Sequence, residues 1–159
     1  MAVTIRVEDP RSDDATALIA ALDDELSGLY EPQFNHFVSG EGLAKEGIKF
    51  FVARDDDGKA LGCAALRPYD GFREIKRMFV VPQARGRGVA KRLLDAIHEA
   101  ARADGHGFVK LETGDRQKAA IQLYETAGYK RCAAFGDYPD DSPHNFCYEI
   151  RLAPVKAMA

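Results

Sequence analysis

The stretch Arg73-Glu74-Ile75-Lys76-Arg77-Met78-Phe79-Val80-Val81-Pro82-Gln83-Ala84-Arg85-Gly86-Arg87-Gly88-Val89-Ala90 constrains the fold more than any other part of the chain. Ile75 to Val81 is rich in β-formers, and Pro82 cannot donate to a ladder, so a strand ends there. Gly86 and Gly88 let backbone approach a ligand closely. The helix that follows presents unpaired N–H groups and the positive end of its dipole, a combination that invites an anion. Arg85, Arg87 and Lys91 crowd the same helix end, where each cation costs a few tenths to about 1 kcal/mol unless an anion neutralises it.

The rest of the chain builds a sheet around this unit. Thr4 to Val7 alternates as a first strand. Ser12 caps a helix with Asp13 and Asp14 in its first turn and Ile19, Leu22 and Leu26 on its buried face, and Gly28 stops it. Lys49 to Arg54 and Ala60 to Arg67 form a hairpin across the acidic turn Asp55-Asp56-Asp57-Gly58, and Pro68 to Gly71 turns into the central strand. Val89, Leu93, Leu94, Ile97 and Ala101 recur at helical spacing. The helix they define is a crossover, so Phe108 to Glu112 lies parallel to the central strand. Gln117 to Ala127 is another helix, and strands from Tyr129 to Phe135 and from Asn145 to Leu152 close the order around the loop 136–144, which walls a site. The expected fold is a mixed α/β domain over residues 1–159: a mostly antiparallel sheet with one central parallel pair and flanking helices.

Composition narrows the function classes. With 46% hydrophobic and 30% charged residues in 159, the chain reads as one soluble globular domain. A net charge of −3 gives no general affinity for nucleic acid. No apolar run approaches the roughly 20 residues of a membrane span, and Met1 to Arg6 lacks a signal-peptide core, so a cytoplasmic location is the default expectation. Cys63, Cys132 and Cys147 are widely spaced and read as buried thiols. No metal-ligand spacing appears, and the three aspartates at 55–57 read as turn chemistry.

Arg85 to Ala90 fits the pattern Arg/Gln-x-x-Gly-x-Gly/Ala, and Leu111-Glu112-Thr113, Gln117 and Leu123-Tyr124-Glu125-Thr126-Ala127-Gly128-Tyr129 follow downstream. Together these segments resemble the GCN5-related N-acetyltransferases (GNAT) over nearly the whole chain, most specifically from Glu74 to Tyr129. The resemblance implies acetyl-coenzyme A as co-substrate and a homodimer. It implies that the central strand splays from its parallel neighbour, with Met78, Phe79 and Val80 along the pantetheine arm and the loop of Arg85, Gly86, Arg87, Gly88, Val89 and Ala90 on the diphosphate. An open sheet edge is independently a template for an extended amide-bearing ligand. Gln117 stands where the family usually has Asn. Tyr124 matches the family tyrosine that serves as general acid, and a pKa near 10 keeps such a group protonated at neutral pH.

Acetylating an amine requires a neutral nitrogen, so a carboxylate that removes its proton is expected near the thioester. Glu74 and Glu112 are the candidates, each alternatively an ion-pair partner of Lys76, Arg77 or Lys110. At a period of two, Glu74 shares the face of Lys76, Met78 and Val80 unless a bulge intervenes. Tyr30 and His36 are candidate acceptor contacts in an aromatic segment that either lines the pocket or packs a short helix. The favoured reading is direct acetyl transfer to a primary amine of a small molecule. A protein N-terminal or lysine acetyltransferase and a non-catalytic coenzyme A-binding module are the alternatives.

Overall fold

In the computed structural model, which describes residues 2–31, 40–45, 47–136, 138 and 143–153, one seven-stranded sheet runs in the order β1-β2-β3-β4-β5-β7-β6. Strands β1 (Thr4–Val7), β2 (Lys49–Arg54), β3 (Ala60–Tyr69) and β4 (Phe72–Val80) form an antiparallel meander. Helix α1 (Asp13–Leu29) and the short α2 (Gly40–Leu43) lie between β1 and β2 in sequence. A 3-10 turn at Pro82–Ala84 and helix α3 (Val89–Ala103) then carry the chain over to β5 (Phe108–Gly114), the one parallel neighbour of β4. Helix α4 (Lys118–Thr126), β6 (Lys130–Arg131) and β7 (Asn145–Arg151) follow, with β7 inserted between β5 and β6. No helix of the described residues is long and apolar enough to cross a membrane.

Each face of the sheet has its own core. Ile75, Val80, Leu93, Leu94, Ile97, Leu111 and Tyr148 are buried on the α3 and α4 side. Leu18, Ile19, Leu22, Phe50, Val52, Cys63, Ala65 and Phe79 are buried on the α1 side. Helix α1 starts as the sequence predicts, the Ser12 hydroxyl accepting from the Ala15 amide at 3.1 Å. It runs one residue past Gly28, because the Tyr30 amide still bonds the Leu26 carbonyl and closes the last turn. The strand expected from Tyr129 to Phe135 shrinks to two residues, since only Lys130 and Arg131 pair in register with Glu149 and Tyr148. Cys63 and Cys147 are buried as expected, whereas Cys132 is half-buried.

Two irregularities of β4 shape the molecule. Cys63 pairs with Phe79 and Ala65 with Lys76, so two residues of β4, Arg77 and Met78, oppose Ala64 alone. This is a β-bulge, with Arg77 held at φ +59°. The Arg77 guanidinium turns into α1, where it donates to the Ile19 carbonyl at 3.2 Å and pairs with Asp23. The bulge breaks the expected parity: Lys76 pairs opposite Ala65 of the α1-side core and Phe79 is buried there too, while Val80 falls on the α3 face. Second, β4 and β5 pair only at Arg73–Val109, Glu74–Lys110 and Ile75–Leu111. Beyond Ile75 the two strands separate, and the β5 side of Lys76 to Val80 has no partner strand among the described residues.

Candidate active site

The separation opens onto two adjoining cavities. The larger, about 790 Å³, runs from the glycine loop along Met78, Phe79 and Val80 to the start of α4. The smaller, about 100 Å³, holds Tyr30, Lys76, Glu112, Tyr124, Tyr138 and His144. Leu22, Met78, Gln117 and Ala120 line both, so the opened β4 edge is their common wall.

The loop end of the larger cavity is built for an anion. Gly86 and Gly88 stand at φ +79° and +80°, conformations that L side chains rarely adopt, and a Cβ on either would meet open space. Gly88 caps α3 with no side chain of its own, and no acidic residue follows in the first turn, so the amides there await an acceptor. Ala90 and Lys91 line the same wall as the glycines. Arg85 contributes differently from the sequence expectation. Its amide bonds the Pro82 carbonyl, and its guanidinium donates to the Val80 carbonyl at 2.9 Å and to Glu25 at 2.7 Å. It therefore braces the strand end to α1, leaving the anion to the residues after it. Phe79 lines the cavity and is also buried in the α1-side core.

Gln117 accepts from the Thr113 hydroxyl at 3.0 Å and from the Gly114 amide at 3.1 Å through its carbonyl oxygen. The extra methylene over Asn is thereby absorbed, and the amide nitrogen keeps no hydrogen bond among the described residues. The Tyr124 hydroxyl likewise has no hydrogen bond among them, its ring lying 5.5 Å from that of Tyr129. Burial, reinforced by the charge of Glu112, pushes the Tyr124 phenol well above its usual 10.

The two glutamates have different surroundings. Glu74 is 0% exposed and lines neither cavity. Tyr138 donates to its Oε2 at 2.6 Å, and Lys76 Nζ stands 3.5 Å from the same oxygen. Glu112 reaches the smaller cavity and accepts from Asn145 Nδ2 at 2.8 Å. Burial pushes Glu112 up from 4.5 to about 7, the Asn145 bond and Lys76 opposing the rise and Glu74 adding to it. A carboxylate that titrates near neutrality at a cavity wall suits proton transfer.

Tyr30 accepts from the Arg116 amide at 2.6 Å and lies edge-on to His144 at 5.3 Å, with burial raising its phenol to about 12. A Cβ on residue 114 would collide with its hydroxyl, so glycine at 114 leaves room for Tyr30 in this position. His36 lies outside the described residues. Tyr138, His144 and Asn145 were not singled out from the sequence. Asn145, and His144 just before it, are brought to Glu112 by the antiparallel register of β7 on β5, Asn145 opposite Gly114, while Tyr138 reaches the site through its bonds to Glu74 and Lys76; no local pattern encodes either.

A split parallel strand pair, a glycine loop capping the next helix and a tyrosine at the split are the features of an acyl-coenzyme A N-acyltransferase. The chain belongs to the GNAT acetyltransferases, the Acetyltransferase (GNAT) domain model matching residues 46–131. It is 42% identical to the IAA acetyltransferase of Azospirillum brasilense over 87% of this chain and 92% of that one. A crystal structure from Klebsiella pneumoniae, assigned provisionally to the acyl-CoA N-acyltransferases, superposes with a TM-score of 0.80. It is 34% identical and covers 95% of this chain and 98% of its own. The PaiA N-acetyltransferase of Thermoplasma acidophilum, solved in complex with coenzyme A, shares the fold at TM-score 0.73 and 18% identity, over 95% of this chain and 99% of its own.

Proposed function

We propose that this N-acetyltransferase moves the acetyl group of acetyl-coenzyme A to the primary amine of a small molecule, the amine attacking directly while both substrates are bound. One observation carries the reading: a long cavity starting at a helix N-terminus meets a small polar one where Glu112 and Tyr124 stand together. The positive-φ glycines and the uncapped first turn of α3 fit a diphosphate. The unpartnered β4 edge fits an extended amide-bearing arm. Bound there, acetyl-coenzyme A supplies the activated acyl group.

This chain's residues then handle protons and position. Glu112, ionised above about pH 7, takes the proton of the incoming amine. Tyr124, protonated throughout the working range, donates a hydrogen bond to the departing thiolate. Complete proton transfer from so weak an acid to a thiolate of ordinary basicity, near 8.5, runs uphill, so stabilising the sulfur is its larger contribution. Tyr30 and His144 close the acceptor side. The roughly 100 Å³ of the smaller cavity favours a small acceptor over a folded protein surface. Release of free thiol from acetyl-coenzyme A, measured against a panel of small primary amines and a matched panel of peptides, tests this. Turnover confined to peptides would overturn the acceptor class, and coenzyme binding with turnover on neither panel would favour a binding module.

A further inference from the structure

We propose that Glu74, Lys76 and Tyr138 form a positioning cluster that sets the pH at which Glu112 accepts a proton, and that Glu74 acts through this cluster rather than as the base. The proposal rests on Glu112 having that role. The three side chains form a closed chain: Lys76 Nζ donates to the Tyr138 oxygen at 2.7 Å, and Tyr138 donates to Glu74 Oε2 at 2.6 Å. Glu74 is wholly buried, and its other oxygen, Oε1, has no donor among the described residues. It lines neither cavity, so an acceptor amine seated in the smaller one meets Glu112 and Lys76 first.

The sheet places this cluster against Glu112. Glu74 pairs in register with Lys110 and Ile75 with Leu111, which brings Lys76 level with Glu112 at the point where the strands part. Lys76, Glu112 and Tyr138 then share the smaller cavity. Every element packed around Glu112 contributes a group. Strand β4 gives Glu74, Lys76 and Arg77, the last paired with Asp23; the segment before β7 gives Tyr138 and His144, the latter bonded to Asp115; β7 gives Asn145 and the opposed Cys147, α4 gives Tyr124, the end of α1 gives Tyr30, and β5 itself gives Lys110, which is paired with Glu149. Among these, Glu74 and Lys76 are the two full charges that act on Glu112, with opposite signs. Because Tyr138 binds both, it fixes their balance.

Opposite signs give an unambiguous test. Protein labelled with [δ-¹³C]glutamate is titrated by carboxyl ¹³C NMR, and the Glu112 resonance is assigned by its loss in Glu112→Gln. The parent midpoint is expected at about 7. Glu74→Gln, which removes an anion, should lower it by roughly one pH unit, and Lys76→Gln, which removes a cation, should raise it by a similar amount. The double variant leaves no unpaired buried charge and should titrate near the parent. Glu74→Gln suffices alone if Lys76→Gln does not fold, since it leaves the ammonium its Tyr138 partner. An unmoved midpoint in Glu74→Gln, or shifts of the same sign in the two single variants, overturns the proposal. Turnover separates this failure from that of the underlying reading. Glu112→Gln with a parent pH–rate profile removes Glu112 as the base. Glu74→Gln should keep turnover with its acid limb moved down, and a loss as large as that of Glu112→Gln would make Glu74 the base.

Discussion

Replacing Glu112 by Gln should make the protein slower and, above neutral pH, more stable. The Glu112 carboxyl titrates at about 7 when folded, against an ordinary 4.5. Because the folded state holds this proton more tightly, it binds more protons than the unfolded state between those values, and stability falls as pH rises through them. The gap between 4.5 and about 7, at about 1.4 kcal/mol per pH unit, amounts to about 3 kcal/mol. The cost is absent below pH 4.5 and complete above about 8. Gln keeps an oxygen for the Asn145 amide and cannot ionise. Urea unfolding of both proteins at half-unit steps from pH 4.5 to 9 reads the difference directly, because the other titrating groups cancel between them. The difference should grow by about 3 kcal/mol in favour of the variant as pH rises. Parallel curves across the whole range would refute the argument that burial strains the Glu112 carboxylate.

Other consequences follow from named contacts. Tyr124→Phe keeps the buried ring and removes the hydroxyl, so kcat should fall by roughly 10²-fold while the melting curve hardly moves; a raised KM for acetyl-coenzyme A at unchanged kcat would assign the hydroxyl to positioning instead. Gly114→Ala puts a Cβ against the Tyr30 hydroxyl, displacing it from the Arg116 amide and costing about 2–3 kcal/mol by thermal unfolding. In a Tyr30→Ala background the same change should cost under about 1 kcal/mol, and additive costs would contradict the contact. Gly88→Asp should weaken acetyl-coenzyme A binding at least about tenfold by calorimetry. Gly88→Asn, which tolerates the same left-handed backbone without the charge, should weaken it less, and equal effects would mean that strain rather than charge is responsible.

What could be read from the sequence was what residue types state locally. Pro82 stops a strand, Gly86 and Gly88 supply positive φ, Ser12 caps α1, and the apolar spacing from Val89 to Ala101 defines a crossover helix, so the parallel pair followed. What could not be read depends on partners distant in sequence. The bulge holds Arg77, a residue type with no preference for φ +59°, and it is stabilised by Asp23 and Ile19 on another element. Its effect was to break the face parity assigned to Glu74. The two glutamates were indistinguishable by type and strand position. The bond from Tyr138 to Glu74 and the bond from Asn145 to Glu112 separate them; the first comes from a residue 64 positions away, and the second depends on the register of β7. Arg85 shows the same limit, since its pattern position suggested an anion contact and its side chain holds Val80 and Glu25.

The central claim is that the coenzyme lies along the opened edge of β4 and brings its thioester to Glu112 and Tyr124. A crystal structure of the protein with acetyl-coenzyme A tests it most directly. The account predicts diphosphate oxygens on the amides between Gly86 and Ala90, the pantetheine arm beside Met78 to Val80, and the sulfur within hydrogen-bond reach of the Tyr124 hydroxyl. A coenzyme bound away from the β4–β5 opening, or a sulfur remote from both Tyr124 and Glu112, would contradict it.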